Sequence, residues 1–459
     1  MTALLAFCLQ VAPDWVVSGD GELGRSLAVL DADGDGFKDL LVGSPGESAA
    51  FLYRGGPGGP SVDASWTATG PSRFGFRVAR AGDVNGDGYE DAAVGDLERT
   101  HVFLGSAAGL ETAAAWTAPG AVPAGVGDVD GDGFDDLAVG DPSGVLGKVS
   151  VYPGSATGLA TAPVWTAAGD GQAFSGFGAV IAPAGDVDGD GFSDFLVSAP
   201  GHDRVVAGAE IDVFYSGDLA DPVDLPVDAQ VVPDTGRVWL IAGSADGPER
   251  TPRWTRIGTP VAREAFGLSL AGGSDVDGDG RPDAIAASGR AEAVVFNAYG
   301  SGLSPTPHWI RVGAHVDSET PVAVGMGDVD GDGTGDVVMV DRLSMRVFEG
   351  PGLAGGPAQT STGPEATFRA ALAVGDLDGD GRDDVATSGN GDVRVFFGRA
   401  AAAPAPSPEE PPPTVAAASA SADGRSSSEG CGLIGVEALL ALAYFSSRMR
   451  RARNQTSSP

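Results

Sequence analysis

The chain has 459 residues, with 63 acidic against 28 basic side chains and a net charge of −35. That balance excludes nucleic acid, whose phosphates it would repel, and suits cations or a solvated acidic surface. With 72 glycines, 32 prolines and 42% hydrophobic residues, many short strands and turns around a sizeable core are favoured over long helices. Two cysteines, Cys8 and Cys431, sit at opposite ends and provide neither a disulfide framework nor a zinc spacing. His101, His202, His308 and His315 are scattered and read as surface or loop residues rather than ligands.

Taken in chain order, residues 1–12 read as a truncated signal peptide: Thr2–Ala12 is apolar but short, and no basic leader precedes it. The bulky Phe7 before Cys8 argues against a lipoprotein cleavage box. Gly19–Gly24 spells G-x-G-x-x-G, but no strand–helix–strand unit surrounds it, so a dinucleotide loop is excluded. It aligns instead with the strand connection at Gly70–Gly75.

From Asp31 onward one pattern dominates. Asp-x-(Asp/Asn)-Gly-Asp-Gly-x-x-Asp begins at Asp31, Asp83, Asp128, Asp186, Asp275, Asp328 and Asp376, at a spacing of roughly 50 residues with one longer step. Oxygens at positions 1, 3, 5 and 9, with the backbone carbonyl of position 7, can wrap a hard cation of calcium size. The candidate ligands are therefore Asp31, Asp33, Asp35, Phe37 and Asp39 in the first copy and Asp83, Asn85, Asp87, Tyr89 and Asp91 in the second. The third offers Asp128, Asp130, Asp132, Phe134 and Asp136, and the fourth Asp186, Asp188, Asp190, Phe192 and Asp194. The fifth offers Asp275, Asp277, Asp279, Arg281 and Asp283; the sixth Asp328, Asp330, Asp332, Thr334 and Asp336; the seventh Asp376, Asp378, Asp380, Arg382 and Asp384. Phe37, Tyr89, Phe134, Phe192, Arg281, Thr334 and Arg382 would contribute main-chain oxygen only. Glycine at position 6, Gly36 in the first copy, permits the left-handed turn that curls the loop. Without a cation, each close carboxylate pair costs about 1–4 kcal/mol.

An EF-hand is excluded, because position 12 holds Val42, Val94, Val139, Val197, Ala286, Met339 and Thr387 in strand-like runs instead of a bidentate Glu. Each loop sits inside a four-strand unit. A Phe-Gly pair precedes it (Phe74-Gly75, Phe177-Gly178, Phe266-Gly267, with Leu23-Gly24 as a variant), followed by a short apolar strand. The last Asp enters a second strand, such as Asp136–Gly140 or Asp194–Ser198. A third follows, as in Val102-Phe-Leu104, and a fourth begins at Trp15, Trp66, Trp116, Trp165, Trp254 or Trp309. Four strands in about 50 residues is the size of a propeller blade.

Asp-Val-Asp-Gly-Asp-Gly-Phe, then Asp-Leu-Ala-Val-Gly, Val-x-Val-Tyr-x-Gly-Ser and Trp-Thr, as these stand in residues 128–166, resemble the FG-GAP repeat of integrin α-chains and many bacterial surface proteins. The resemblance covers roughly residues 14–398. It implies an all-β fold, a seven-bladed β-propeller of four-stranded antiparallel blades, with structural Ca2+ in up to seven loops that join the first two strands of each blade. The last unit ends at Gly398 after three strands, whereas Trp15 has no earlier strands to join. The N-terminal segment is therefore expected to complete blade seven, closing the ring without free edges.

The propeller is expected over residues 13–399, with an insertion at 204–235 in blade four that reads as an added hairpin or a partner-binding excursion. Residues 400–429, rich in Ala, Pro and Ser, read as an extended linker. Residues 430–459 hold Gly430-Cys431-Gly432, an apolar run to Phe445 that includes Glu437, and the cluster Arg448, Arg450, Arg451 and Arg453. This tail resembles the myxobacterial C-terminal sorting tail (MYXO-CTERM). That resemblance implies export, processing near Cys431 and surface display, with membrane contact only through the tail. No catalytic motif stands out, so the sequence reads as a non-enzymatic, largely monomeric recognition or adhesion protein for an extracellular glycan, matrix or surface protein. The alternative is a propeller scaffold or domain of a secreted polysaccharide-acting hydrolase or lyase.

Overall fold

The computed structural model describes residues 12–400, apart from 208–210, 213–228, 260, 262, 291, 313–322, 342–343, 352, 354–356, 363–368 and 390. Residues 1–11 and 401–459 lie outside the described residues, and with them the signal-peptide, linker and sorting-tail readings. Among the described residues there is no helix. Seven four-stranded antiparallel sheets follow one another along the chain.

Blade one shows the plan: Leu27–Leu30, Asp39–Ser44, Ala49–Tyr53 and Trp66–Thr69 pair in that order. The second strand is buried along its whole length, because neighbouring blades cover both of its faces. Its run Asp-Leu-Leu-Val-Gly-Ser accordingly lacks the alternation of a half-exposed strand. The first strands of successive blades pack side by side, and the ring closes where Leu27–Leu30 meets Arg369–Gly375.

Tryptophan fastens one blade to the next. Trp66 of blade one meets Phe103 of blade two edge-on at 5.0 Å, and its indole N–H donates to the Glu111 carbonyl at 2.9 Å. Trp116, Trp254 and Trp309 repeat both contacts with Tyr152, Phe296 and Phe348. The Phe-Gly pair has an equally local cause. Phe74 is buried in the seam between blades one and two, and Gly75 turns the chain at φ +83°, where a Cβ would stand 2.1 Å from the Ala49 carbonyl oxygen. Only glycine suits that position.

The N-terminal strand Trp15–Ser18 pairs antiparallel with Asp392–Phe396 and completes blade seven. Trp15 stacks edge-on against Tyr53 of blade one at 5.4 Å, and Arg399 reaches Asp14 at 3.0 Å. The closure expected from the strand count is what the fold shows.

Two details differ from expectation. The insertion is more than a hairpin: Arg204–Ala207 lies between Ile211–Asp212 and Ala229–Val232 in a separate three-stranded sheet. Blade four then resumes at Arg237–Ile241, paired with Asp194–Ala199. His101 is neither surface nor loop. It lies within the strand Arg99–Phe103, against Phe74 at 5.4 Å and within 3.1 Å of Asp96. His202 is a loop residue but a buried one, 2.9 Å from Asp170.

Candidate metal centres

Each Asp-rich segment connects the first strand of a blade to the second, so all seven lie at the same end of the ring. One hydrogen-bond scheme repeats in them. In the third loop Asp128 Oδ1 accepts from Gly131 at 2.6 Å, and Oδ2 from Gly133 at 2.8 Å. Asp130 accepts from Asp132, and Asp132 from Phe134 at 3.0 Å. Position 1 of every loop is gripped in this way by the amides of positions 4 and 6. The main chain thus turns its donors outward around the carboxylates and leaves the remaining oxygens converging.

Ligand oxygens of Asp31, Asp33 and Asp35 lie within 4.8 Å of one another, as do those of Asp275, Asp277 and Asp279 and those of Asp328, Asp330 and Asp332. In the third and fourth loops the grouping is Asp128, Asp130 and Asp136, and Asp186, Asp188 and Asp194. The second and seventh loops share the hydrogen-bond scheme, through Asp83, Asn85 and Asp87 and through Asp376, Asp378 and Asp380.

Position 9 is the buried anchor. Asp39, Asp91, Asp136, Asp283, Asp336 and Asp384 are fully buried, and Asp194 is 1% exposed. Each takes the amide of position 2 on one oxygen and, on the other, an amide just past the third strand; for Asp91 these are Val84 at 3.0 Å and Gly105 at 2.8 Å. Burial without a counter-charge pushes the carboxyls of Asp39, Asp91, Asp136, Asp194, Asp336 and Asp384 up to about 7, and that of Asp283 to about 6. Asp33, Asp130, Asp188, Asp330 and Asp378 at position 3 are also raised, by burial and by the neighbouring loop carboxylates.

These features suit a hard cation. The donors are all oxygen, the loop carries excess negative charge, and Asp188 Oδ1 is buried with no hydrogen-bond partner among the described residues. Guanidinium groups already lean on three loops: Arg54 Nε stands 2.6 Å from Asp33, Arg253 2.9 Å from Asp188, and Arg382 pairs with Asp380.

Several contributors escaped the sequence reading. Position 4 is left-handed as well as position 6, with φ +70° at Gly34 and +91° at Gly36. It also lies beneath the next blade: a Cβ on Gly34 would meet the Tyr89 ring at 2.9 Å, and one on Gly86 the Phe134 ring at 2.5 Å. The side chain of position 7 therefore covers the preceding loop while its amide serves its own. Position 8 couples the loops. Its amide donates to the position-1 carbonyl of the preceding loop, as in Glu90 to Asp31 at 3.0 Å, Asp135 to Asp83 at 3.1 Å and Lys38 to Asp376 at 2.9 Å. The fifth copy has Pro282 there, which has no N–H to give. Between blades four and five, Arg281 Nη1 donates to the Val187 carbonyl at 3.3 Å instead.

Comparison with known proteins agrees with this geometry. Residues 31–94, 275–339 and 328–387 match the FG-GAP-like repeat, and residues 177–211 the FG-GAP repeat. The chain carries FG-GAP repeats. Integrin alpha-V of Gallus gallus is 31% identical over 297 residues, covering 63% of this chain and 22% of that protein. Integrin alpha-6 of Homo sapiens is 32% identical over 124 residues, covering 22% of this chain and 11% of that protein. This FG-GAP chain therefore spans less than a quarter of the curated relatives it matches. Among solved structures, BBS1N in complex with ARL6DN superposes with a TM-score of 0.52 at 10% identity, covering 85% of this chain and 97% of that one. That likeness concerns the fold alone.

Proposed function

We propose that this FG-GAP propeller is an exported, calcium-stabilised recognition or adhesion protein, displayed at the cell surface and without a catalytic role. The observation that carries the reading is the sevenfold repetition of one carboxylate cradle, including the buried Asp188 oxygen that has no hydrogen-bond partner among the described residues. Calcium would sit on positions 1, 3, 5, 7 and 9 of each loop. It would neutralise them, stiffen the connections between first and second strands and, through the position-8 amides, brace adjacent blades. Seven divalent ions would leave a net charge of about −21, a milder surface than −35.

The likeness to integrin alpha chains supports a ligand of extracellular type: a glycan, a matrix polymer or a surface protein. Residues 13–399 would form the recognition unit, the 204–235 insertion would add to its surface, and 400–429 would space it from a sorting tail at 430–459. The test is binding of the full chain to a glycan and cell-envelope panel, in calcium and in chelator. Calcium-dependent binding to a defined ligand supports the reading. Absence of binding in calcium, with the propeller folded, contradicts it.

A further inference from the structure

Position 9 of each loop takes an amide just past the third strand of its own blade, and the residue before that donor changes from blade to blade. Gly55 serves Asp39 and follows Arg54; Ala298 serves Asp283 and follows Asn297; Gly350 serves Asp336 and follows Glu349. In blades two, three, four and seven the place is held by Leu104, Pro153, Ala242 and Phe397, which bring no side-chain charge.

Where this side chain is polar it reaches position 3. Arg54 Nε stands 2.6 Å from Asp33, and Asn297 Nδ2 donates to Asp277. In blade six the same register sets Glu349 beside Asp330 and Asp332. Burial and the charges of these two aspartates push the Glu349 carboxyl up. Asp330 is itself buried, its ligand oxygen within 4.8 Å of those of Asp328 and Asp332. It also feels Arg382, but that guanidinium is paired with Asp380 of the seventh loop. With Asp336 and Glu349 the sixth loop gathers five carboxylates, where the first has four and a guanidinium.

We propose that the residue before the position-9 donor ranks the loops, and that the sixth loop, through the added carboxylate of Glu349, is the chain's tightest calcium site. Affinity at oxygen-lined calcium sites is tuned by the count of charged ligands. The first loop ranks below the sixth, because the Arg54 cation beside position 3 opposes a second cation there. The ranking rests on the calcium reading of the loops.

The test is titration of calcium into the full chain against a competing chromophoric chelator. Glu349→Gln should weaken the tightest ion about tenfold without changing the number bound. Glu98→Gln, an exposed position between the second and third strands of blade two and so away from the loops, should leave that ion unchanged. Arg54→Glu, at a half-exposed position, should turn a weaker ion into a second tight one, and it keeps the test valid should Glu349→Gln fold poorly. Melts add a sign that a merely structural residue would not give. Glu349→Gln should melt at or above the parent in chelator, where it relieves repulsion by Asp330 and Asp332, and below it in limiting calcium. An unchanged tightest ion in Glu349→Gln, an equal loss in Glu98→Gln, or no gain in Arg54→Glu would overturn the ranking while leaving calcium binding intact. A parent chain that binds no calcium would refute the calcium reading itself.

Discussion

Replacing Asp91 and Asp87 by alanine, one at a time, separates the two jobs done within a single metal loop. Asp91 is fully buried and satisfies the amides of Val84 and Gly105. In Asp91→Ala both amides lose their acceptor inside the fold, at a cost of about 1–3 kcal/mol each. The loss does not require calcium. Asp87 is exposed and accepts from Tyr89 and Asn85, bonds that water can replace, so Asp87→Ala should matter only when a cation is bound. For the roughly 390 residues between positions 12 and 400, an unfolding entropy of about 2.1 cal/mol/K per residue gives about 0.8 kcal/mol/K. Asp91→Ala should then lower the melting temperature by about 2–7 °C in chelator, and by about 2 °C more in calcium, where a ligand of the second loop is lost as well. Asp87→Ala should change it by under about 1 °C in chelator and by about 2 °C in calcium, given about 1.4 kcal/mol per site at tenfold saturation. Scanning calorimetry at pH 8, where Asp91 is ionised, reads both. The reasoning fails if Asp91→Ala melts like the parent in chelator, or if Asp87→Ala costs the same with and without calcium.

Metal-free protein should lose stability as pH rises. The carboxyls of Asp39, Asp91, Asp136, Asp194, Asp336 and Asp384 are raised in the fold from 3.8 to about 7, so the native state holds protons that the unfolded chain has released. That stabilisation is complete below pH 3.8 and is lost as pH climbs through about 7; melts of metal-free protein at pH 5.5 and 8 should differ in that direction, and saturating calcium should abolish the difference. Trp15→Ala, which empties a half-buried contact with Tyr53, should cost about 2–3 kcal/mol in thermal or denaturant unfolding. Removing residues 1–19 should also expose the edge of Asp392–Phe396 and give concentration-dependent association in sedimentation. Arg54→Ala should raise calcium affinity at the first loop about three- to tenfold, read by calorimetry, because a cation 2.6 Å from Asp33 no longer competes.

Much of the fold was legible because the repeat is local. Nine residues carry the loop, the Phe-Gly and Trp positions mark strands one and four, and the leftover Trp15 strand matched the missing fourth strand of blade seven. What stayed hidden depends on residues about 50 apart meeting in adjacent blades. Glycine at position 4 reads as loop flexibility until the Tyr89 ring is seen above Gly34. Pro282 is a visible departure at position 8, yet its consequence appears only beside Asp186 and Val187 of the neighbouring blade. The pairing of Arg54 with Asp33 and of Arg253 with Asp188 follows from the packing of each blade and leaves no mark on the local pattern. Within the insertion, a third strand was missed because Ala229–Val232 pairs with a segment more than twenty residues earlier.

Direct calcium counting by equilibrium dialysis and elemental analysis tests the central claim. The account predicts seven ions per chain, each loop contributing one, and a melting temperature that falls when they are removed. A chain that retains no calcium, and melts identically in chelator, would contradict it.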